Sequence, residues 1–146
     1  MENVGFIGLG NMGGGMAGNI QKADYPMVVY DLRANLVAAF VERGARAAGS
    51  PAEVAQQCEV IFTSLPGPAE VEAVAIGAQG VLEGIRPGSV YVDLSTSRPT
   101  LIRQIEPRFR DTGAHVLDAP VSGGKSGAMT RNLAVMVGGE RHIYER

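Results

Sequence analysis

Three glycines near the start of the chain have the spacing of a phosphate-binding turn. They form G-x-G-x-x-G in Gly8-Leu9-Gly10-Asn11-Met12-Gly13, between an apolar run and an apolar-periodic helix. The first glycine allows a tight turn, the second lets the backbone approach a pyrophosphate, and the third lets the helix pack closely on its strand. Free N–H groups and the helix dipole would favour phosphates at the helix N-terminus. Because the chain has 20 glycines, the pattern alone could also be a plain turn, and its context favours the phosphate site.

An acidic residue follows the next apolar run at a distance typical of a ribose ligand. This run begins at Met27 and ends in Asp31, 18 residues beyond Gly13. A carboxylate at this point accepts hydrogen bonds from the adenosine ribose hydroxyls and repels a 2′-phosphate, which predicts NAD rather than NADP. Arg33 lies close by and would weaken that preference. The alternative is that Asp31 only caps the following helix, predicted over 34–43.

The remaining elements alternate between strands and helices. This alternation would place the glycine turn and Asp31 at the ends of strands in one sheet. Most strands are solid apolar runs, which is typical of a parallel sheet covered on both faces. We therefore predict an α/β fold with a doubly wound, Rossmann-like parallel sheet, helices on both faces, and one dinucleotide-binding domain over 1–146. Predicted strands lie at 4–7, 27–31, 45–48 (weak), 59–66, 89–94, 114–118 and 133–137, with helices or helical pieces at 34–43, 51–57, 69–76, 81–85 and 99–111 and a glycine-punctuated helix or loop ending at 130.

Composition and charge argue against several classes of partner. The chain has 146 residues, 45% of them hydrophobic, and a net charge of −2, so no basic field draws it to nucleic acid or to an anionic membrane. No apolar run is long enough to span a bilayer and the first residues do not form a signal peptide, so we expect a cytoplasmic protein.

The single cysteine, Cys58, cannot form an internal disulfide and is predicted to be a strand-edge residue. No cluster of residues has the spacing of metal ligands.

Two motifs together resemble a known family, the β-hydroxyacid dehydrogenases. The glycine turn, continued through Met16 and Ala17 to Asn19, resembles the opening motif of that family. A second motif, Asp118-Ala119-Pro120-Val121-Ser122-Gly123-Gly124, continued to Gly127 and Ala128, resembles its substrate motif. The two motifs occur in the family order, and the resemblance covers essentially the whole chain. It identifies residues 1–146 as the N-terminal cofactor domain of a 3-hydroxyisobutyrate dehydrogenase-like enzyme.

The resemblance implies roles for residues at several strand ends. Cofactor contacts would come from Asp31 and from the glycine turn, where Gly8, Gly10, Asn11, Met12 and Gly13 lie. Leu65 and Pro66 would lie against the cofactor, and Thr96 would stand near the nicotinamide ribose. Ser122 and the backbone amides of Gly123 and Gly124 would hold a substrate carboxylate and the oxygen at the reacting carbon. The alternative for the second motif is a tight surface turn.

Two departures limit what the resemblance implies. The family usually has Gly-Thr where this chain has Arg131 and Asn132, so the end of the substrate loop would be shaped differently. The family also uses a lysine of a second, all-helical domain for proton transfer, and we expect that domain to be absent here. Lys125 is a candidate for approaching an anionic substrate. The alternative is a solvated loop charge, because its position does not match the family's catalytic lysine; Lys22 is predicted to be a surface residue away from the site.

Three functions follow from these observations. The first is the NAD-binding domain of an oxidoreductase that acts on the CH–OH group of a small 3-hydroxy acid, with this chain binding cofactor but not turning over alone. The second is a dinucleotide-binding module without catalytic duty. The third is an oligomerising module, in which the apolar surface left by the missing domain joins two copies as a dimer. The expected partner is a small carboxylate substrate, and no nucleic acid or membrane partner is expected.

Overall fold

The computed structural model describes residues 1–146, and its centre is a six-stranded parallel sheet. The strand order is β3-β2-β1-β4-β5-β6, and every neighbouring pair is parallel. The strands are β1 (Val4–Ile7), β2 (Met27–Tyr30), β3 (Arg46–Ala47), β4 (Val60–Thr63), β5 (Val90–Asp93) and β6 (His115–Asp118). The doubly wound α/β prediction is therefore confirmed.

Helices cover both faces of this sheet. They are α1 (Asn11–Lys22), α2 (Ala34–Val41), α3 (Pro51–Gln57), α4 (Pro68–Ile76), α5 (Val81–Gly84) and α6 (Pro99–Arg110). Two separate apolar clusters, one on each face, bury alternate residues of the same strands. In β1, Phe6 packs with α1 and α2, whereas Ile7 packs with α3, α4 and α6. Burial on both faces explains why these strands are continuous apolar runs in the sequence.

The order of the strands creates a crevice between β1 and β4. From β1 the chain proceeds outward through β2 to β3, and then crosses to β4 and proceeds outward the other way to β6. The loops that follow β1 and β4 therefore diverge to opposite faces and leave a space at the carboxyl ends of the strands. Ligands of open α/β sheets bind at such a point.

The final segment differs from the sequence-based expectation. The predicted strand at 133–137 is reduced to β8 (Ala134–Val135), which pairs antiparallel with the short β7 (Val121–Ser122) in a separate two-stranded sheet. The chain turns back after β6, because the backbone groups of Asp118 and Gly138 bond reciprocally in an antiparallel bridge, at 2.9 and 2.6 Å. The segment therefore cannot extend the parallel sheet.

Two further helices complete the chain. Helix α7 (Gly124–Thr130) follows β7, which confirms a helix where the glycine-punctuated segment was predicted, and α8 (Arg141–Tyr144) follows β8. The predicted weak strand at 45–48 is present only as the exposed two-residue β3. No helix has both the length and the apolar character that crossing a membrane requires.

Candidate functional site

The glycine turn joins β1 to α1 at the crevice between β1 and β4. Gly8 has a φ of +94°, which L side chains rarely adopt, and a Cβ there would collide with the backbone oxygen of Ser64. A Cβ on Gly13 would collide with the backbone oxygen of Gly8. These two glycines thus let the turn close against β4 and let α1 lie against its own turn. A Cβ on Gly10, in contrast, would come near only one other group, the Arg33 guanidinium at 3.3 Å, which is the far end of a flexible side chain.

The N-terminus of α1 offers several unused hydrogen-bond donors. Gly10 is the N-cap residue, and no side chain caps the helix. The N–H groups of Asn11, Met12 and Gly13 donate to no acceptor in the chain, and the first intrahelical bond runs from Gly14 N–H to the Gly10 oxygen at 2.7 Å. Three free donors at the positive end of a 12-residue helix fit the phosphates of a dinucleotide.

Asp31 lies beside this turn, and its carboxylate is already fully engaged. Its Oδ2 accepts from Leu9 N–H at 2.8 Å, and its Oδ1 accepts from Arg33 N–H at 2.9 Å. The Arg33 guanidinium donates to both oxygens, at 3.0 and 3.2 Å. Burial pushes the pKa of Asp31 up, but the bonds from Arg33 and Leu9 together outweigh it, so the pKa lies below its ordinary value. Asp31 is therefore a carboxylate at neutral pH.

The helix-cap alternative for Asp31 is wrong. The N-cap residue of α2 is Arg33, which makes no capping bond from its side chain. Asp31 bonds to the N–H of that N-cap residue rather than to the second or third residue of the helix, where a capping side chain acts. Asp31 instead links β2 to the glycine turn, because its bond to Leu9 spans the two segments.

A buried polar network lies under the loops that follow β4 and β5. Thr63 Oγ1 and Ser95 N–H both donate to Asp93 Oδ1, at 2.9 and 3.1 Å, and the Tyr91 hydroxyl lies 2.9 Å from Thr63 Oγ1. Ser95 Oγ then accepts from Leu65 N–H at 2.8 Å. This chain of bonds fixes the two loops relative to each other. The sequence analysis missed it, although the Asp-x-Ser spacing at the end of β5 is a local signal for such a turn.

Two carboxyl groups lie at the ends of neighbouring strands, and burial affects both. Asp93 and Asp118 are paired in the register of β5 and β6. Burial raises the pKa of Asp93, whose Oδ2 is buried without a hydrogen-bond partner. Burial also raises the pKa of Asp118, and the nearby charge of Asp93 raises it further. At the ends of β5 and β6, burial therefore disfavours the charged form of these two carboxyl groups.

The expected substrate loop is exposed and lies at the end of β7. Ser122 is the last residue of β7, and Gly123 and Gly124 have φ values of +141° and +65°. A Cβ on Gly123 would come within 2.9 Å of Leu133. Both glycines are therefore required by backbone conformation, which is consistent with a shaped loop as well as with a tight turn. Thr96 is likewise exposed, at the open side of the β5 loop.

Helix α7, which begins at this loop, is docked on α1. The side-chain amide of Asn19 donates to the backbone oxygens of Ala128 and Met129, at 2.7 and 3.3 Å. A Cβ on Gly15 would come 3.0 Å from the Ala128 Cβ, so the two helices approach closely. Asn19 belongs to the first motif and Ala128 to the second, and the structure thus brings the two motifs into direct contact.

A groove of about 440 Å³ runs along the outer side of α1 between α2 and α7. It brings Lys125 together with Gly10 and Asn11 of the glycine turn. Lys22 lines its far end, so this residue belongs to the groove although it lies distant from the turn. The charged side chains of the lining are all basic: Lys22, Arg33, Arg43 and Lys125. The sequence analysis missed the contribution of Arg43, because only the fold places α2 beside this groove.

Cys58 and the histidines lie outside this site. Cys58 is fully buried, and burial together with the charge of Glu59 raises the pKa of its thiol to about 12. The two histidine rings, His115 and His142, lie edge to face with centroids 6.3 Å apart. No group of three or more histidine, cysteine or acidic residues has an arrangement that could hold a metal ion.

Comparisons with known proteins show which family the chain matches. Residues 3–146 match the family model described as the NAD binding domain of 6-phosphogluconate dehydrogenase. The chain is 43% identical to mouse mitochondrial 3-hydroxyisobutyrate dehydrogenase over 93% of its own length and 41% of the relative's. It is 40% identical to an NAD-dependent L-serine dehydrogenase of Pseudomonas aeruginosa over its full length, which covers 49% of that protein. The chain thus spans about half the length of the curated relatives it matches.

Solved structures also align with nearly the whole chain, which again covers about half of each of them. A structure of Mycobacterium tuberculosis 3-hydroxyisobutyrate dehydrogenase with L-serine aligns with a TM-score of 0.92 and 32% identity, over 100% of this chain and 49% of that one. Psf3 in complex with NADP+ and 2-OPP aligns with a TM-score of 0.90 and 29% identity, over 97% of this chain and 50% of that one. Both alignments cover the parallel sheet and the segments around it.

Proposed function

Because this chain belongs to the β-hydroxyacid dehydrogenase family, whose NAD-binding domain it matches, we propose that it holds the NAD of an enzyme that oxidises a small 3-hydroxy acid. The observation that carries the proposal is the set of three free N–H groups on Asn11, Met12 and Gly13, next to the Asp31 carboxylate. Donors suited to phosphate and an acceptor suited to ribose lie side by side at the point where strand order reverses.

The adenosine half of the cofactor is assigned to the region of Asp31 and the pyrophosphate to the turn at Gly10. The carboxylate of Asp31 repels a 2′-phosphate, which favours NAD, whereas the adjacent Arg33 guanidinium acts in the opposite direction. Both cofactors occur among the relatives, since the Pseudomonas enzyme is named NAD-dependent and the Psf3 structure holds NADP+. Since the relatives do not decide between the two cofactors, we propose the preference for NAD from the Asp31 carboxylate.

The nicotinamide half is assigned to the loops after β4 and β5. Leu65 and Pro66 would lie against the cofactor, and the exposed Thr96 would stand beside the nicotinamide ribose. The network through Ser95 supports this assignment, because its 2.8 Å bond to Leu65 N–H holds the two loops in one arrangement. The cofactor supplies hydride chemistry, and the protein supplies the position in which the reacting carbon meets it.

The substrate is assigned to the loop of Ser122, Gly123 and Gly124. A hydroxyl and two backbone N–H groups bind a carboxylate without adding bulk, and both glycines are exposed and have positive φ values. The relatives named for 3-hydroxyisobutyrate and L-serine point to a small acid with a hydroxyl on the third carbon. Proton transfer at that hydroxyl is assigned to a lysine outside residues 1–146, so this chain alone would bind cofactor without turnover.

Lys125 is assigned to the cofactor groove rather than to proton transfer. It shares the groove with Gly10 and Asn11, and no acidic side chain lines this groove. A lysine in this position attracts the phosphates of the cofactor. We also propose that the chain is cytoplasmic, although the mouse relative is named as mitochondrial.

Isothermal titration calorimetry with NAD tests this proposal. The wild-type chain should bind NAD, and Asp31→Ala should weaken binding by about tenfold or more through loss of the ribose acceptor. Asp111→Ala, which removes an exposed carboxylate at the end of α6, is the matched control and should leave the affinity unchanged. The absence of binding heat and of a thermal shift at about millimolar NAD would overturn the cofactor assignment. Turnover of L-serine or 3-hydroxyisobutyrate by this chain would overturn the lysine assignment.

A second candidate function is assembly with another chain. Several large apolar side chains around β8 and α8 are exposed: Met129, Val135, Met136, Val137 and Tyr144. Such a patch is typical of a surface that another domain or a second copy covers. Analytical ultracentrifugation should show a dimer that Met136→Glu converts to a monomer. A monomer at all concentrations would leave the dimer without support.

A further inference from the structure

We propose that Asp93 is a positioning residue for the nicotinamide end of the cofactor, because one oxygen of its carboxyl group holds the loops after β4 and β5 in a fixed arrangement. The proposal rests on the proposed function, since those two loops are where the nicotinamide half is assigned. It extends that function to a residue that contacts neither cofactor nor substrate, because Asp93 is fully buried.

The first step is the place of Asp93 in the sheet. It is the last residue of β5, and its register partners are Thr63 at the end of β4 and Asp118 at the end of β6. Asp93 thus lies under the loops that follow β4 and β5. Its exposed fraction is 0%, so water cannot replace a hydrogen bond that its carboxyl group loses.

The second step is that one oxygen of Asp93, Oδ1, controls both loops. It accepts from the N–H of Ser95, two residues further along the chain, at 3.1 Å, which is the bond of an Asx-turn. Ser95 Oγ in turn accepts from Leu65 N–H, in the loop after β4, at 2.8 Å. The position of Leu65 therefore depends on Ser95, and the backbone of Ser95 depends on Asp93. Thr96 follows Ser95 directly and takes its position from the same turn.

The third step is that the same oxygen is anchored to the buried core. Thr63 Oγ1 donates to Asp93 Oδ1 at 2.9 Å, and the Tyr91 hydroxyl lies 2.9 Å from Thr63 Oγ1. The Tyr91 ring stacks on Phe109 of α6, with ring centroids 5.1 Å apart. Asp93 therefore connects the two loops to side chains that are fully buried. Loops held in this way are ordered before the cofactor arrives, which lowers the cost of binding.

These steps predict an effect on one half of the cofactor only. The nicotinamide half meets the loops of Leu65 and Thr96, whereas the adenosine and the pyrophosphate meet Asp31 and the glycine turn. Loss of the Asp93 acceptor frees both loops, and the cost of ordering them then falls on nicotinamide binding. ADP carries the adenosine and the pyrophosphate without the nicotinamide end, so its affinity should not depend on Asp93.

Calorimetric titration of Asp93→Ala with NAD and with ADP tests the proposal. NAD binding should weaken by about tenfold or more, and ADP binding should stay within about twofold of wild type. Asp93→Asn should restore NAD binding to within about threefold of wild type, because it keeps an accepting oxygen and because burial, which raises the pKa of Asp93, already disfavours the charge. Ser89→Ala is the matched control. It removes a buried hydroxyl just before the opposite end of β5 and should leave the ratio of the two affinities unchanged.

Thr63→Val keeps the test decisive if Asp93→Ala does not fold. It removes the hydroxyl that anchors the Asp93 carboxyl group while it keeps the shape of the side chain. NAD binding should then weaken by about threefold or more, with ADP binding within about twofold of wild type. Urea denaturation of each variant shows whether it is folded under the conditions of the titration.

The outcomes separate this proposal from the proposed function. If the wild-type chain binds neither NAD nor ADP, the cofactor assignment itself is wrong. If it binds both, and Asp93→Ala weakens the two ligands by the same factor within about twofold, Asp93 is a structural residue and does not position the nicotinamide end. If Ser89→Ala shifts the ratio of affinities as much as Asp93→Ala does, the effect is a general loss of stability and positioning is refuted. NAD binding as weak in Asp93→Asn as in Asp93→Ala would exclude the accepting oxygen as the positioning group.

Discussion

Adding one methyl group to α1 at two different positions should have opposite effects on the stability of the chain. This pair of substitutions tests the role of the third glycine of the turn. Gly13→Ala places a Cβ against the backbone oxygen of Gly8 and 3.1 Å from the Cβ of Ser64. Gly18→Ala adds the same group to the same helix at a place with no heavy atom within 4 Å. The two variants share their change in helix propensity and differ in the steric clash.

The magnitudes follow from these two terms. Alanine gains about 1 kcal/mol over glycine inside a helix, so Gly18→Ala should stabilise the chain by about that amount. Overpacking costs about 1–3 kcal/mol, and the upper end applies at Gly13 because a backbone carbonyl cannot rotate away. Gly13→Ala should then destabilise the chain by about 2 kcal/mol net. For a domain of this size the melting temperature would fall by about 4–8 °C.

Urea denaturation and NAD titration of both variants measure these effects. Relief of the clash requires α1 to move away from the turn, which displaces the free N–H groups at its start. NAD affinity should therefore fall with Gly13→Ala and stay within about twofold of wild type with Gly18→Ala. Equal stability of the two variants, with NAD affinity retained in both, would refute close packing of α1 on its turn as the role of the third glycine.

Four further predictions concern other parts of the site. Ser95→Ala leaves Leu65 N–H without its acceptor and should cost about 1–3 kcal/mol in urea denaturation, while weakening NAD binding more than ADP-ribose binding. Asn19→Ala should lower stability by about 1 kcal/mol and speed amide hydrogen exchange in α7. Burial raises the pKa of Asp93 above 3.8, so the folded chain binds more protons than the unfolded chain just above that pH; stability should fall as the pH rises through this window, and Asp93→Asn should flatten the slope. Cys58 should resist thiol reagents in the folded chain and react in urea.

Much of the fold could be predicted because its signals are local. The strand from Val4 to Ile7 occurs as predicted, and the strand predicted at 59–66 occurs over Val60–Thr63. Each is an apolar run followed within three residues by glycine or proline. The segment 133–137 has an equally apolar run, yet only Ala134–Val135 forms a strand, and it is exposed. Its partner is β7 rather than the parallel sheet, and such a non-local pairing leaves no periodic signal in the sequence.

The glycine turn could be predicted from the sequence, whereas the contacts around it could not. The spacing of Gly8, Gly10 and Gly13 indicates a phosphate turn, and the structure places that turn at the switch point with free donors. The sequence also shows Asp31 and Arg33 two residues apart, which indicates proximity only. That Arg33 fills both side-chain positions on the Asp31 carboxylate depends on the backbone direction after β2, and the structure was needed to show it.

The contact between α1 and α7 explains why glycines and small residues recur in two motifs so distant in sequence. The cofactor turn begins α1, and the proposed substrate loop begins α7, so the distance between cofactor and substrate depends on how these helices pack. Gly15 allows the approach to Ala128, and Asn19 fixes it by binding the backbone at the end of α7. A larger residue at Gly15 would push the helices apart and displace the Ser122 loop from the phosphate turn, although neither contact touches a ligand.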